Sequence, residues 1–231
     1  MHEELELLDR LDRLDRSVAK RQTEIVALRA GLIAATQTLT ERQAALARAT
    51  DAVAQNSAAE KAAQRLLTQH RGNRSSAVRM LETGQGDPEA AQRQLVGCEA
   101  LIDDVETDVL ELMEARDALL EGEAAAQAEM TTSEADVARR AEENPRVIGV
   151  LEAELAELAA DRDGVHTALS RELSSKYDHW RGRDKWAVAR EVRGACDTCR
   201  MEVHAQHLSD LRRGRIEPCR GCHRWLVPSE G

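Results

Sequence analysis

The feature that most constrains the fold is an apolar repeat, at alternating steps of three and four residues, through the first third of the chain. This spacing keeps one stripe of an α-helix facing a partner helix and produces a left-handed coiled coil. The track consists of Leu7, Leu11, Leu14, Val18, Ile25, Leu28, Leu32, Ala35, Leu39, Leu46, Ala49, Val53, Ala63 and Leu67. The first part of the chain is therefore predicted to be a long helix that packs along one side.

Two further apolar tracks follow in the middle of the chain. The second track consists of Leu95, Cys98, Ile102, Val105, Val109, Leu112, Leu119, Ala126, Met130 and Val137. The third consists of Ile148, Leu151, Leu155, Leu158, Val165 and Leu169. Pro145 lies between them, and because proline removes a helical hydrogen bond, we expect a kink near 144–149 or a short break. The pair Gly72-Asn73 offers an earlier point at which the first helix could end.

A turn signal near 82–88 separates the first two tracks in "LETGQGDPEAAQRQL". Gly84 and Gly86 can end one helix, and Asp87 followed by Pro88 can begin the next. We therefore predict an antiparallel coiled-coil hairpin in which Glu60 and Arg116 form a polar layer. A parallel dimer of uninterrupted helices is the alternative that the turn disfavours. A monomeric hairpin is expected, and pairing of two hairpins is left open.

The composition changes near residue 175. The chain has no Phe, and its only Tyr and all three Trp residues occur in the last quarter. By charge count, residues 1–170 carry about −14 and residues 171–224 about +5. We predict a mainly α chain of two domains, a hairpin over residues 1–175 and a small, basic C-terminal domain over residues 176–231. In the early "DRLDRLDR", the leucines are expected on the seam and the charges on exposed faces.

Two Cys-x-x-Cys pairs define the chemistry of the C-terminal domain. Cys196 and Cys199 form the first pair, and Cys219 and Cys222 the second. This spacing is typical of a zinc ribbon built on short β-hairpins, in which four thiolates hold one structural Zn²⁺. Iron in the same ligand set is left open, since spacing alone does not select the metal. The nearby histidines are expected as surface or supporting groups; they are His204, His207 and His223.

Basic and aromatic side chains around the cysteines indicate a nucleic-acid surface. The candidate phosphate contacts are Lys185, Arg190, Arg193, Arg212, Arg213, Arg215, Arg220 and Arg224. Trp186 and Trp225 are the candidates for base stacking. The alternatives are a solvated basic surface with both tryptophans in packing, and an adaptor that docks a protein.

Catalysis and membrane insertion are not indicated. Four cysteine ligands leave no open metal position, and no nucleophile and base stand together in the sequence. No apolar run approaches the ~20 residues that span a bilayer, and the acidic N-terminus is unlike a signal peptide. We therefore expect a non-enzymatic cytoplasmic protein that keeps its thiols reduced.

Three segments resemble a bacterial family in which a coiled-coil hairpin carries a C-terminal four-cysteine zinc ribbon. They are "LETGQGDPEAAQRQL", "DVETDVLELMEARDALL" and "CRGCHRWLVP". His223 stands where this family usually has Gly, and Val227 stands where it has Tyr. The resemblance implies binding, because studied members regulate flagellar and secretion genes through an alternative sigma factor and messenger RNA. It implies RNA, a transcription factor of the sigma type or a secretion component as the partner.

Overall fold

The computed structural model describes residues 3–184 and 186–228, and it is mainly α. The elements are α1 (Glu3–Thr83), α2 (Pro88–Ala168), α3 (Arg171–Asp184), β1 (Val188–Val192), β2 (Ala195–Cys196), α4 (Ala205–Arg212), β3 (Glu217–Pro218) and β4 (Trp225–Pro228). The predicted fold class, a long helical hairpin followed by a small β-containing module, is confirmed.

The chain reverses between α1 and α2 through a short turn. Gly84 and Gly86 take positive φ angles of 67° and 91°, which side chains other than glycine rarely adopt. Asp87 then caps α2, because its Oδ1 accepts the Glu89 N–H at 3.0 Å. The glycines therefore end α1, and Asp87 with Pro88 begins α2, as the sequence predicts.

Contacts divide the chain into two compact units, Leu32–Ala141 on its own and Met1–Gly31 together with Glu142–Gly231. In the first unit, small and branched side chains are buried along the seam between the two helices. They are Ala63, Ala77, Ala91, Cys98, Ile102 and Val105. The predicted polar layer is present, since Arg116 Nη1 lies 3.4 Å from Glu60 Oε2. The predicted register of the hairpin is thereby confirmed.

The second unit has a continuous apolar core formed by both ends of the chain. Leu5, Leu8 and Leu11 are fully buried at the start of α1. They pack in one cluster with residues from α2, α3 and the sheet: Val165, Leu169, Leu173, Tyr177, Ala187, Val188, Trp225 and Val227. The first turns of α1 therefore form part of the same core as the strands that follow α3. The boundary between residues 1–175 and 176–231 stays a prediction.

A four-stranded sheet with the order β2-β1-β4-β3 positions the cysteines. Strands β1 and β2 form one antiparallel hairpin, and β3 and β4 form the other. The central strands β1 and β4 run parallel, with Val188 opposite Trp225 and Arg190 opposite Val227. Each hairpin carries one Cys-x-x-Cys pair, and the parallel pairing joins the two hairpins into one sheet.

Three local expectations for the helices need correction. The first helix does not end at Gly72-Asn73, because α1 continues to Thr83. A break at Pro145 is also wrong, because α2 runs through this residue; a kink there stays a prediction. In "DRLDRLDR", Asp12 and Asp15 are buried, where exposed charges were expected. None of the described helices is long and apolar enough to cross a membrane.

Candidate metal centre and its surroundings

The sulfur atoms of Cys196, Cys199, Cys219 and Cys222 all lie within 4.8 Å of one another. Across the two pairs, Cys196 Sγ is 3.8 Å from Cys222 Sγ, and Cys199 Sγ is 3.6 Å from Cys219 Sγ. A disulfide would place its sulfur atoms about 2.05 Å apart. A tetrahedral ion with metal–sulfur bonds of about 2.3 Å would hold its ligands about 3.8 Å apart. The four cysteines could therefore hold a metal ion.

The protein environment shifts the pKa values of Cys196, Cys199 and Cys222 in different directions. Burial raises the pKa of the Cys196 thiol to about 12, and burial also raises the pKa of Cys222. For Cys199, hydrogen bonding from the Met201 backbone N–H lowers the pKa of the thiol to about 7. A cation at the centre of the cluster would supply the positive charge that buried thiolates need, and its binding would release protons.

The two cysteine pairs make equivalent turns. Arg200 and His223, each following the second cysteine of its pair, have φ angles of 62° and 59°. The Arg200 N–H donates to the Cys196 carbonyl at 2.9 Å, and the His223 N–H donates to the Cys219 carbonyl at 2.8 Å. A positive φ explains why glycine is usual at the position of His223 in the family that the sequence resembles.

The histidines lie outside the group of clustered donors. His204 and His223 are exposed. His207 is buried, with its Nε2 2.9 Å from Glu217 Oε2. In the described residues, the donors that stand close enough to share one ion are the four cysteines.

Gly221 lies inside the second pair and close to the first pair. A methyl group there would lie 3.0 Å from Cys199 Sγ and 3.0 Å from Met201 Sδ. Met201 can move, but a sulfur atom that binds a metal cannot move without changing the site. We predict that Gly221→Ala weakens metal affinity by about tenfold or more, as changes around metal ligands commonly do.

Transfer of the metal to a competing chelator, followed by absorbance, measures the effect of Gly221→Ala. Gly164→Ala is the matched control, because an added methyl group there meets no atom within 4 Å. Equal metal affinities of wild type and Gly221→Ala, measured from the equilibrium distribution between protein and chelator, would show that the two pairs are less tightly fitted than these distances indicate.

Most of the basic candidates are exposed, and some of them contact groups of their own chain. The exposed ones are Arg193, Arg212, Arg213, Arg215 and Arg220. Arg215 Nη1 is 3.3 Å from Asp210 Oδ1. Arg224 Nε donates to the Trp186 carbonyl at 3.0 Å. Lys185 lies outside the described residues. The sequence pattern did not single out Arg200, which is also exposed and directly follows Cys199.

The two candidate stacking residues contact other parts of the protein. Trp225 is buried, with 9% of its surface exposed, and belongs to the apolar core. Trp186 is half-buried, and the guanidinium carbons of Arg16 and Arg181 lie 4.5 Å and 5.0 Å from its ring centroid. Both tryptophans therefore connect the sheet to the helices.

Asp15 is the buried centre of a polar network. Its Oδ1 accepts from Arg162 Nε at 2.8 Å, and its Oδ2 lies 2.8 Å from Arg181 Nε. Tyr177, which is fully buried, donates its hydroxyl to the same Oδ2 at 2.7 Å. Burial, followed by the hydrogen bond to Asp15, raises the pKa of Tyr177, so the hydroxyl stays protonated. One carboxylate of α1 thus joins α2 and α3.

Asp12, one turn earlier, connects α1 to the sheet. Its Oδ2 accepts from Arg16 Nε at 2.6 Å and lies 3.5 Å from Arg190 Nη1. Arg190 also contacts Asp9 through Nη2. Burial raises the pKa of Asp12 in spite of these arginines. Arg190 is therefore engaged by carboxylates of its own chain.

A family model described as a CT398-like coiled coil hairpin domain matches residues 69–185, about half of the chain. The HP0958 protein of Helicobacter pylori is similar in structure, with a TM-score of 0.64 and 12% identity over 100% of this chain and 99% of that one. CT398 of Chlamydia trachomatis gives a TM-score of 0.57 and 14% identity, with 99% of each chain covered.

A protein from Mycobacterium smegmatis gives a TM-score of 0.53 and 16% identity, with 98% of this chain and 100% of that one covered. At these identities the likeness concerns the fold. The comparison with curated proteins gave no match.

Proposed function

The chain belongs to the family of CT398-like coiled coil hairpin domains, and from this premise we propose that it is a non-enzymatic adaptor whose C-terminal module binds RNA. The observation that carries the proposal is a set of exposed arginines, on a module built around four cysteines, that form no ion pair with the described residues. They are Arg193, Arg200, Arg212, Arg213 and Arg220.

The proposed metal is one structural Zn²⁺. Four thiolates in a tetrahedral arrangement suit zinc, and their number leaves no open position for water or a substrate. The ion would hold the two hairpins together and supply no chemistry at a substrate. Elemental analysis distinguishes zinc from iron. A reducing compartment preserves such thiols, so we assign the protein to the cytoplasm.

The proposed contacts are ionic. A guanidinium can donate two hydrogen bonds to a phosphate, and each contact releases counterions from the RNA. Arg212 and Arg213 stand together at the end of α4, where both side chains are exposed. Arg190 and Arg224 contact groups of their own chain. We therefore assign them to holding the sheet in place and do not include them among the phosphate contacts.

Reversal of two charges tests the proposal. We expect Arg212→Glu with Arg213→Glu to lower the affinity for RNA by at least about tenfold at low salt, since two phosphate contacts become repulsive. Fluorescence anisotropy with a labelled RNA measures this loss. Arg48→Glu with Arg79→Glu, two exposed positions on α1, is the control with the same change in net charge.

An equal loss of affinity in both double variants would mean that net charge, and not this surface, governs binding. Unchanged affinity in the Arg212 and Arg213 variant would reject the proposed surface.

A second candidate is an adaptor that docks a transcription or secretion component. Large apolar side chains are exposed on both long helices, including Val26, Ile33, Val96 and Leu110. Such positions can supply the apolar contacts of a protein interface. A partner protein that is still captured by the Arg212 and Arg213 variant, with no RNA bound by wild type, would favour this candidate.

A further inference from the structure

The aromatic residues of the chain are occupied in packing. The sequence contains one Tyr, three Trp and no Phe, and all four aromatic residues lie in the described part of the chain. Tyr177 and Trp225 are buried in the core, and Trp180 packs against that core. Trp186 lies against two guanidinium groups. Proteins that prefer single strands commonly stack bases on exposed aromatic rings, whereas the Trp and Tyr rings here pack in or against the core or lie against guanidinium groups.

Backbone strain is concentrated in the same module. Among the described residues, those other than glycine with a positive φ are Arg193 at 52°, Arg200 at 62° and His223 at 59°. All three are exposed and have long or basic side chains. A side chain in this conformation lowers stability, and such residues occur preferentially at binding sites. At Arg200 and His223 the positive φ belongs to the turns of the two cysteine pairs, whereas Arg193 lies outside those turns.

The turn at Arg193 shows the strain most clearly. Arg193 and Gly194, which has a φ of 82°, join β1 to β2, and a two-residue turn with two positive φ angles favours Asn followed by Gly. Arginine is therefore a poor choice for the turn itself. The guanidinium groups of Arg193 and Arg200 form no ion pair or hydrogen bond with the described residues, so no polar contact of the side chain accounts for arginine at either position.

We infer that the module reads RNA through its phosphate backbone, with Arg193 and Arg200 as phosphate contacts, and binds duplex RNA at least as tightly as single-stranded RNA. This inference rests on the proposed function. The RNA supplies the anions that the two strained arginines lack within the protein. Sequence preference is expected to be small, because the Trp and Tyr rings are engaged within the protein.

The decisive variant combines Arg193→Asn with Arg200→Gly. Both substitutions suit a positive φ, so the melting temperature is expected to stay the same or rise by a few degrees. Affinity for RNA is expected to fall, and the slope of log K against log salt is expected to decrease by about two. A merely structural role would lower the melting temperature together with the affinity, and that result would overturn the assignment.

His223→Gly is the matched control for backbone strain. It relieves a positive φ in the same module without removing a permanent positive charge, so affinity is expected to remain within about twofold of wild type. A loss of affinity in His223→Gly as large as in the double variant would show that strain, and not the arginines, matters for binding.

The RNA probes are one single strand and its duplex of equal length, compared over a range of salt concentrations. Duplex binding equal to or tighter than single-strand binding supports the inference. Preference for the single strand by tenfold or more overturns the inference and leaves the proposed function intact. Failure of the wild-type protein to bind either probe overturns the proposed function itself.

Discussion

Replacement of Cys219 by serine is expected to abolish stoichiometric metal binding and to unfold the C-terminal module. Cys219 is buried in a cluster with Cys196, Val203, Leu211 and Leu226, and a serine hydroxyl is a poor substitute for a thiolate ligand. Structural zinc contributes about 10–16 kcal/mol in small zinc modules at neutral pH, as much as the whole stability of a typical domain. The cluster around the cysteines is small, so we expect the metal to supply much of its stability, while Val188, Trp225 and Val227 still pack on the helical core.

Metal content, limited proteolysis and tryptophan fluorescence measure the effect of Cys219→Ser. Cleavage is expected within residues 186–228, while the far-ultraviolet circular dichroism of the long helices is largely kept. Cys98→Ser is the control, because Cys98 is buried on α2 outside the cluster. A Cys219→Ser protein with wild-type protease resistance would show that the module folds without its four ligands.

Asp15→Ala is expected to destabilise the protein by about 3–5 kcal/mol, the cost of removing one partner from a buried ion pair. The substitution leaves Arg162, Arg181 and the Tyr177 hydroxyl without their shared acceptor. These groups connect α1, α2 and α3, so their loss affects the core formed by both ends of the chain. Chemical denaturation followed by tyrosine and tryptophan fluorescence measures the change.

Asp51→Ala is the matched control, since it makes the same substitution at an exposed position of the same helix. We expect its stability to remain within about 0.5 kcal/mol of wild type. Tyr177→Phe, which removes one donor to Asp15, is expected to cost about 1–3 kcal/mol. A loss below 1 kcal/mol in Asp15→Ala would mean that the network does not hold the three helices together.

The hairpin was predictable because its signals are local. The seam of α1 and α2 follows apolar spacing, and the turn follows from Gly84, Gly86 and Asp87. The pairing of Glu60 with Arg116 follows from their nearly symmetric distances to that turn. The proximity of the two cysteines within each pair was predictable for a similar reason, since the Cys-x-x-Cys spacing places both in one short turn, and the meeting of the two pairs was predictable only as the usual geometry of a four-cysteine metal site.

The junction between the two ends of the chain was not predictable from local pattern. Asp12 and Asp15 lie in a charged repeat that is typical of an exposed helix face, and apart from Arg16 their partners are distant in sequence. Tyr177 and Arg190 supply two of those partners. The parallel pairing of β1 with β4 was also not predictable, because short strands carry little information about register or direction. The contact of two arginine guanidinium groups with the Trp186 ring likewise depends on the completed fold.

The most direct measurement of the central claim, a metal-bound four-cysteine module carried by a helical hairpin, is native mass spectrometry of the purified wild-type chain combined with thiol alkylation. We expect one tightly bound metal ion per chain, with Cys196, Cys199, Cys219 and Cys222 protected until a chelator removes the ion. A metal-free chain whose C-terminal module still resists protease, with those four thiols freely alkylated, would contradict the account.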